Sequence, residues 1–315
     1  MDKEQRKDEL VKEICIAYYL NNKTQQEIAQ QFYISRSKVS RILTYAKEHN
    51  YITTKLNFKV EKQYHFKSEL QERYGLERME AVDIGILDEN FDLEFNKRAA
   101  QVIDSFMRHN ISIGCSWGSY INDIIEYLPE RNLDNTKVIQ LFGEITNDAE
   151  SLDQSTVIKK FAQKYNAGFY QLSAPLHVAN SSVKRSLEKM SIISETLKLL
   201  DNSELILTSV GTFNSYGKHN IWEKFQDDHQ FQEAINLGGI GYFCSYIIDV
   251  HGQIIDCEYN DCNIAISKDK IGNKKIILLV SEMYKYNVIK ALLENNMVDV
   301  LITTLEIAER LNADK

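Results

Sequence analysis

Residues 24–48 read TQQEIAQQFYISRSKVSRILTYAKE, and this pattern predicts two short helices separated by a tight turn. Thr24 and Glu27 have the spacing of a capping box, in which a hydroxyl and a carboxylate satisfy the free amides at a helix start. Ser35 is the next residue suited to an N-cap. We therefore expect the second helix to begin at Arg36 and to continue to the end of the segment.

The second predicted helix has two chemically different faces. Its apolar positions recur at the helical spacing i, i+3, i+4, i+7, and they are Val39, Ile42, Leu43 and Ala46. The opposite face is short, polar and basic, so it could enter a major groove, where an arginine can bond both acceptors of guanine. This arrangement predicts a helix-turn-helix. The expected DNA contacts are Ser35, Arg36, Ser37, Lys38, Ser40, Arg41 and Thr44.

The helix that precedes this segment completes a predicted N-terminal helical domain over residues 1–52. Its apolar positions also have helical spacing, and they are Leu10, Val11, Ile14, Ala17 and Tyr18. Three helices with these faces could instead form a small bundle used for protein contacts. The charge distribution favours DNA, because residues 1–62 hold 12 Lys+Arg and 8 Asp+Glu whereas the rest of the chain holds 25 and 37.

Composition excludes several other classes of protein. Hydrophobic residues make up 43% and charged residues 26% of the 315, which is ordinary globular usage. No stretch approaches the ~20 consecutive apolar residues of a membrane span, and the charged first residues do not resemble a signal peptide. Five cysteines without CxxC or zinc-ligand spacing indicate a reducing compartment, so we expect a cytoplasmic protein with no metal site, no cofactor and no membrane partner.

After residue 52 the pattern changes. Residues 53–62 are expected to form a linker or a short wing strand, and a helix is predicted over 64–74, before Gly75. Beyond it, strand and helix signals alternate to the end of the chain. This alternation predicts an α/β domain with a largely parallel, Rossmann-like sheet over residues 63–315.

One loop of this domain has the composition of an anion cradle. Residues 111–113 are predicted to form a strand, 114–119 a loop and 120–128 a helix. Glycines let the backbone approach a ligand, and the free amides at a helix start attract a negative charge. Glycine and serine are also common in such turns for packing reasons alone, so both interpretations stay open.

Further predicted strands end in loops that could share one crevice with this cradle. They are 205–210, which leads into Gly211; 275–280, which leads into Ser281 and Lys285; and 298–302, which leads into Thr303. Ligands of open α/β sheets collect at the carboxyl ends of the strands. Lys285 would lie one turn into its helix, within reach of an anion there.

Taken together, the motifs resemble those of the SorC family of bacterial transcriptional regulators, over nearly the whole chain. Residues 35–43, SRSKVSRIL, are similar to the family's S-R-x-x-V-S-R-L-L, and 114–118, GCSWG, are similar to G-V-S-W-G. Other similar segments are 172–175, LSAP; 238–241, GGIG, followed by Asp249 and Gly252; and 300–303, VLIT.

The resemblance implies a helix-turn-helix joined to an effector domain related to phosphosugar isomerases, acting as a sensor without catalysis. It implies three partners: double-stranded operator DNA, a sugar phosphate or other small anion, and further copies of the chain in a dimer or tetramer. The implied effector contacts are Gly114, Ser116, Gly118, Ser119, Gly211 and Lys285.

The chain departs from the family pattern at two points. Ser281 and Glu282 stand where the family usually has two glycines, and a carboxylate there would repel a phosphate or pair with Lys285. Thr304 stands where the family tends to have aspartate. The departures keep open a third class, a DNA-binding oligomer whose effector pocket has been lost.

An isomerase-like enzyme is the remaining alternative. Such an enzyme needs an acid and a base positioned at its substrate. None of the seven histidines has the spacing of a catalytic pair or triad. His177 is the only one near a predicted crevice loop, and we expect it to be structural. The sequence therefore predicts no catalytic residues.

Overall fold

The computed structural model describes residues 3–21, 23–49, 51–52, 62–83, 91–145, 154–213 and 228–314. The chain divides into two compact units, Met1–Glu61 and Lys62–Lys315. The predicted wing strand falls almost entirely outside the described residues. Within those residues, no helix is long and apolar enough to span a membrane.

The N-terminal unit consists of helices packed around a small apolar core. Its helices are α1 (Lys3–Cys15), which continues into a π-helical turn (Ile16–Leu20), α2 (Gln25–Gln31) and α3 (Arg36–Glu48). Ile14, Ile28 and Val39 are fully buried at the centre, and Leu43 is nearly so. The apolar positions predicted for the first and third helices line this core, except Val11 and Ala46, which are buried outside the cluster, and that part of the prediction is confirmed.

Both predicted helix starts of this unit have their caps. The Thr24 hydroxyl accepts a bond from the Glu27 amide, and the Glu27 carboxylate accepts one from the Thr24 amide at 2.8 Å. This is the predicted capping box. At the start of α3, the Ser35 hydroxyl accepts a bond from the Lys38 amide at 3.2 Å.

The turn between α2 and α3 is held by backbone hydrogen bonds around Tyr33. Ile34 donates to the Ala29 carbonyl at 3.0 Å and Tyr33 donates to the Gln30 carbonyl at 3.4 Å. These two bonds form a Schellman motif, which needs a left-handed residue at its centre. Tyr33 takes that position with φ of 54°, where glycine is usual.

The C-terminal unit alternates helices and strands. Its first half contains α4 (Lys62–Tyr74), β1 (Arg78–Val82), α5 (Phe91–Phe106), β2 (Ser112–Cys115), α6 (Ser119–Ile125), β3 (Lys137–Gln140), α7 (Gln154–Lys164), β4 (Gly168–Tyr170), α8 (Ser181–Glu188) and α9 (Ser191–Asp201). Its second half contains β5 (Leu205–Thr208), β6 (Val210–Thr212), α10 (His229–Asn236), β7 (Gly241–Phe243), β8 (Tyr246–Ile248), α11 (Glu258–Asp261), α12 (Lys268–Ile271), β9 (Lys275–Leu279), a 3-10 turn (Met283–Lys285), α13 (Tyr286–Glu294), β10 (Val300–Thr304) and α14 (Leu305–Ala313).

Seven of these strands form one parallel sheet in the order β1-β10-β9-β5-β2-β3-β4. Apolar side chains cover both of its faces. One face packs against α5, α6 and α7, and the other packs against α4, α9, α13 and α14. Burial on both sides explains why the strands are short, continuous apolar runs. The predicted α/β fold with a parallel sheet is confirmed.

A second, antiparallel sheet follows β5 directly and has the order β6-β7-β8. Gly241 of β7 lies against β6 so closely that an added Cβ would be 2.3 Å from the Gly211 carbonyl oxygen. Asp249 and Gly252 shape the turn after β8, because the Asp249 carboxylate accepts the amides of His251 and Gln253 at 2.9 Å. These glycine and aspartate positions therefore serve the packing and turns of the small sheet.

Candidate DNA-binding helix and effector crevice

The solvent-facing side of α3 carries the residues that the sequence predicted to contact DNA. All seven are exposed, whereas Val39, Leu43 and Ala46 on the other side are buried. Ser37, Arg41 and Thr44 follow one another at i, i+4, i+7, so they form the centre of this side, and the seven exposed residues together are called the α3 stripe. The stripe is continuous and carries no acidic side chain.

The hydroxyl groups and the cations of the α3 stripe differ in their hydrogen bonds and ion pairs. The Ser35 Oγ caps the helix and lies 3.0 Å from the Ser37 Oγ, and the Thr44 hydroxyl donates to the Ser40 carbonyl at 3.1 Å. No acidic side chain in the described part of the chain pairs with a cation of the stripe. Those cations are Arg36, Lys38 and Arg41. A helix face with uncommitted positive charge can bind phosphates and base edges.

Two features near α3 were not found from the sequence. Tyr33 is 96% exposed in the turn that leads into α3. A depression of about 640 Å³ reaches the first residue of α3 and is lined by Tyr18, Tyr19, Lys23, Thr24, Gln25, Gln26 and Arg36. Little in the sequence indicated the role of Tyr33 in the turn, because a Schellman motif usually has glycine at this position.

The order of strands in the parallel sheet creates a crevice at one place. From β2 the chain proceeds to β3 and β4 on one side, and from β5 it proceeds to β9 and β10 on the other. Such a switch point opens a crevice at the carboxyl ends of the two central strands. β2 and β9 both pair with β5, so the loops after β2 and β9 are separated by about 10 Å, two strand spacings.

The loop after β2 is shorter than the sequence predicted. Gly114 and Cys115 belong to the strand, so the loop begins at Ser116. An added Cβ on Gly114 would lie 2.8 Å from Leu200 Cδ1, so a larger residue here would have to displace the Leu200 side chain of α9. The Ser116 amide is committed to the Leu207 carbonyl at 2.9 Å.

Gly118, by contrast, has a conformational role. Its φ of 156° and ψ of 164° belong to a region open almost only to glycine, and α6 begins directly after it. Ser119 is the first residue of that helix. The Cys115 thiol is fully buried next to this loop, and burial raises its pKa, so it is not a nucleophile at neutral pH.

The structure corrects the predicted position of Gly211. The sequence placed it in a loop after a strand over 205–210, but β5 ends at Thr208 and Gly211 pairs with Tyr242 inside the small antiparallel sheet. A single residue, Ser209, separates the two strands, which a continuous apolar pattern cannot reveal. β6 nevertheless packs against the 3-10 turn that contains Lys285.

The loop after β9 holds a paired cation. Lys285 Nζ lies 2.9 Å from the Glu282 carboxylate, and the two side chains are only 11% and 19% exposed. The sequence predicted that Glu282 would repel a phosphate or pair with Lys285, and the structure contains this pair. The chain thus neutralises the lysine at the crevice with a carboxylate of its own.

Two adjacent threonines end β10 and differ in their bonding. The Thr304 hydroxyl caps α14 by accepting a bond from the Ile307 amide at 3.3 Å, a role that aspartate also performs. The Thr303 hydroxyl is fully buried and has no hydrogen-bond partner among the described residues. A buried hydroxyl without a partner at a strand end is a candidate ligand contact.

The described residues contain no cluster of three or more His, Cys, Asp or Glu side chains suited to a metal ion. His177 stacks on Tyr259 with ring centroids 4.4 Å apart, and its Nδ1 lies 2.8 Å from Asn263 Oδ1. Both contacts tie separate segments together, as expected for a structural histidine.

Comparison with protein families gives two matches. Residues 59–312 match the family described as "Putative sugar-binding domain", and residues 8–49 match region 4 of sigma-70. The chain is 26% identical over 316 residues to the deoxyribonucleoside regulator of Bacillus subtilis, with 100% of both chains covered. It is 22% identical over 306 residues to the sorbitol operon regulator of Klebsiella pneumoniae, with 96% of this chain and 97% of that protein covered.

Solved structures agree in fold. The full-length sorbitol operon regulator from Klebsiella pneumoniae matches with a TM-score of 0.74 and 21% identity over 99% of both chains. A transcriptional regulator from Streptococcus pneumoniae matches with a TM-score of 0.74 and 19% identity over 80% of this chain and 97% of that one. Together, the family matches over both units and the full-length relatives identify the chain as a member of the SorC family of helix-turn-helix transcriptional regulators with a sugar-binding domain.

Proposed function

We propose that this protein is a cytoplasmic regulator of a metabolic operon that binds operator DNA through α3 and senses a small hydroxylated metabolite in its C-terminal unit. The observation that carries the DNA part is the exposed stripe of α3, where Arg36, Lys38 and Arg41 lie beside short hydroxyl side chains and pair with no acidic group that the structure describes. Arg41 is central in the stripe and is the side chain best placed to read a guanine. The protein acts in this role without catalysis.

The sensing part is supported by the crevice between β2 and β5 and by the names of the relatives. Those proteins are named as regulators for deoxyribonucleosides, sorbitol and erythritol, all of which are small compounds rich in hydroxyl groups. The strand ends here offer matching groups, including Ser116, Thr208 and Thr303. Hydrogen bonds from such groups fix the orientation of a small ligand.

The two activities would be linked through assembly. Two or four copies would place pairs of α3 helices at half-sites about 34 Å apart, one DNA turn or a multiple of it. An effector would then act by preferring one arrangement of the copies over the other. The size of its effect on DNA binding cannot exceed its differential affinity for the two arrangements.

The test is a titration of the protein with DNA from upstream of its own gene, with and without a panel of sugars, polyols, nucleosides and their phosphates. We expect specific binding whose affinity changes with one class of compound. A control titration with DNA of scrambled sequence measures non-specific binding. Absence of specific binding to any such fragment would contradict the proposal for α3.

A regulator without an effector is the second candidate, and the Glu282–Lys285 pair is the observation that favours it. Thermal unfolding separates the two functions. A compound at 100 times its dissociation constant adds about 2.7 kcal/mol to the free energy of unfolding. A panel that leaves both unfolding and DNA binding unchanged would support the candidate without an effector.

A further inference from the structure

The carboxylate of Glu282 is held at the end of β9 by a complete set of donors. Its Oε1 lies 2.9 Å from Lys285 Nζ and 3.3 Å from the Tyr284 hydroxyl. Its Oε2 lies 3.3 Å from the Ser281 amide and 3.5 Å from the Ser281 hydroxyl. An ammonium, an amide and hydroxyl groups are the donors that proteins use to hold a bound phosphate or carboxylate.

We infer that Glu282 is a built-in anion that takes the place of a ligand phosphate beside Lys285, so that the effector presents uncharged hydroxyl groups to this strand end. The inference rests on the proposed sensing function and specifies its ligand class. Glu282 would thus be a specificity-determining residue that favours a free sugar, polyol or nucleoside over its phosphate ester.

The charges around the pair support this assignment. Lys285 is the only lysine or arginine among the described residues of the loops that follow β2, β3, β5 and β9, and its charge is already balanced. The pair is more than four-fifths buried, so solvent and salt screen it weakly. A phosphate entering here would meet a carboxylate at close range, whereas a hydroxyl group could donate to it.

The neighbouring strand ends present groups that suit an uncharged ligand. Ser116, Thr208 and Thr303 are buried hydroxyl residues at the ends of β2, β5 and β10. The Thr303 hydroxyl has no partner among the residues that the structure describes. A ligand hydroxyl can both donate and accept, so it can satisfy such groups without bringing a charge into the crevice.

The experiment compares the full-length wild type with Glu282→Gln, which keeps the shape of the side chain and removes its charge. Inorganic phosphate is the probe, and sodium chloride at equal ionic strength is the reference. We expect no phosphate-specific change in the melting temperature of the wild type. Glu282→Gln should gain a saturable increase, with a dissociation constant for phosphate at least ten times lower than that of the wild type.

Two further variants make the comparison specific. Glu294→Gln removes a carboxylate from a different lysine pair, on the following helix α13, because Glu294 lies 3.9 Å from Lys290, and it should leave the phosphate response at the wild-type level. Lys285→Met added to Glu282→Gln should abolish the gain. Saturable phosphate binding by the wild type as tight as that of Glu282→Gln, or no gain in Glu282→Gln, would overturn the inference.

A second measurement uses matched ligands, each sugar or polyol beside its phosphate ester. The wild type should respond to the free compound, and Glu282→Gln should shift preference at least tenfold toward the ester. A wild-type preference for the ester would overturn the inference. It would leave the proposed function standing, since operator binding and its response to effectors are measured separately by titration with DNA.

Discussion

The two units differ in how far apart along the chain their functional groups lie. All seven predicted DNA contacts of the N-terminal unit fall within residues 35–44, on one helix and its N-cap. The groups at the crevice of the C-terminal unit come from the ends of β2, β5, β9 and β10, which the sheet order brings together. A site built on one helix can be located by periodicity, whereas a site built across a sheet depends on topology.

The prediction with the largest expected effect is a substitution that unfolds the N-terminal unit and leaves the C-terminal unit folded. Leu43 is 5% exposed in the small N-terminal core, and Leu43→Ala should cost about 2–5 kcal/mol. Operator binding should be lost, because the N-terminal unit has only a small core to hold α3 in place, while the thermal transition of the C-terminal unit stays in place. Differential scanning calorimetry and a gel-shift titration measure the two effects. Glu13→Ala, on the exposed side of α1, is the control, and a fall in both transitions would show that the units are not independent.

The next change destabilises the C-terminal unit and leaves the N-terminal unit unaffected. Gly241→Ala would place a Cβ 2.3 Å from the Gly211 carbonyl oxygen and 2.6 Å from Val288 Cγ2. Backbone cannot move aside as a flexible side chain can, so we expect a loss of about 1–3 kcal/mol in urea unfolding. Gly272→Ala is the control, since an added Cβ there meets nothing within 4 Å. Equal stability of the two variants would contradict the close approach of β6 and β7.

Substitution of Arg41 sharpens the comparison at the DNA-binding face. Arg41→Ala should weaken specific operator binding by about 1–3 kcal/mol, the value of one bidentate base contact. Because Arg41 is exposed, the free energy of unfolding should be unchanged. Arg41→Lys keeps the charge but not the fork of donors, so it should lose specificity while retaining the salt dependence of non-specific binding. Unchanged operator affinity in both variants would remove Arg41 from base recognition.

The smallest expected effects come from the two threonines that end β10. Thr304→Val removes the cap of α14 and should destabilise the protein by about 1 kcal/mol. Thr303→Val removes a buried hydroxyl without a partner among the described residues, so it should be neutral or stabilising. Chemical denaturation of the two variants compares their free energies of unfolding. If Thr303 contacts the effector, Thr303→Val should also weaken effector binding, and Thr304→Val should not.

Sequence reasoning located the helical unit almost completely, because its signals are local. The capping box at Thr24, the cap at Ser35 and the buried face of α3 each depend on residues within a few positions of one another. The tight turn between α2 and α3 was predicted, but its Schellman bonds and the left-handed conformation of Tyr33 were not, because backbone groups form these bonds and tyrosine is not a usual turn residue.

In the C-terminal unit the sequence predicted the parallel α/β class but not the details of the crevice. Gly114 was expected in a loop, yet it lies in β2, where the reason for glycine is the distant Leu200. Gly211 was placed after the wrong strand, because β5 and β6 follow each other with one residue between them. The pairing of Lys285 with Glu282 could be anticipated, since the two residues lie three positions apart.

The position of β1 in the sheet has a consequence for the synthesis of the chain. Among the strands that the structure describes, β1 pairs only with β10, so Arg78 must wait for Val300, which is synthesised much later, before this edge of the sheet can close. Contacts so distant in sequence form slowly and leave an unpaired strand exposed in the meantime. The described core of the N-terminal unit is formed by its own helices, so this unit can fold while the rest is still on the ribosome. A nascent chain would therefore carry a formed DNA-binding helix before it carries any means of regulating it.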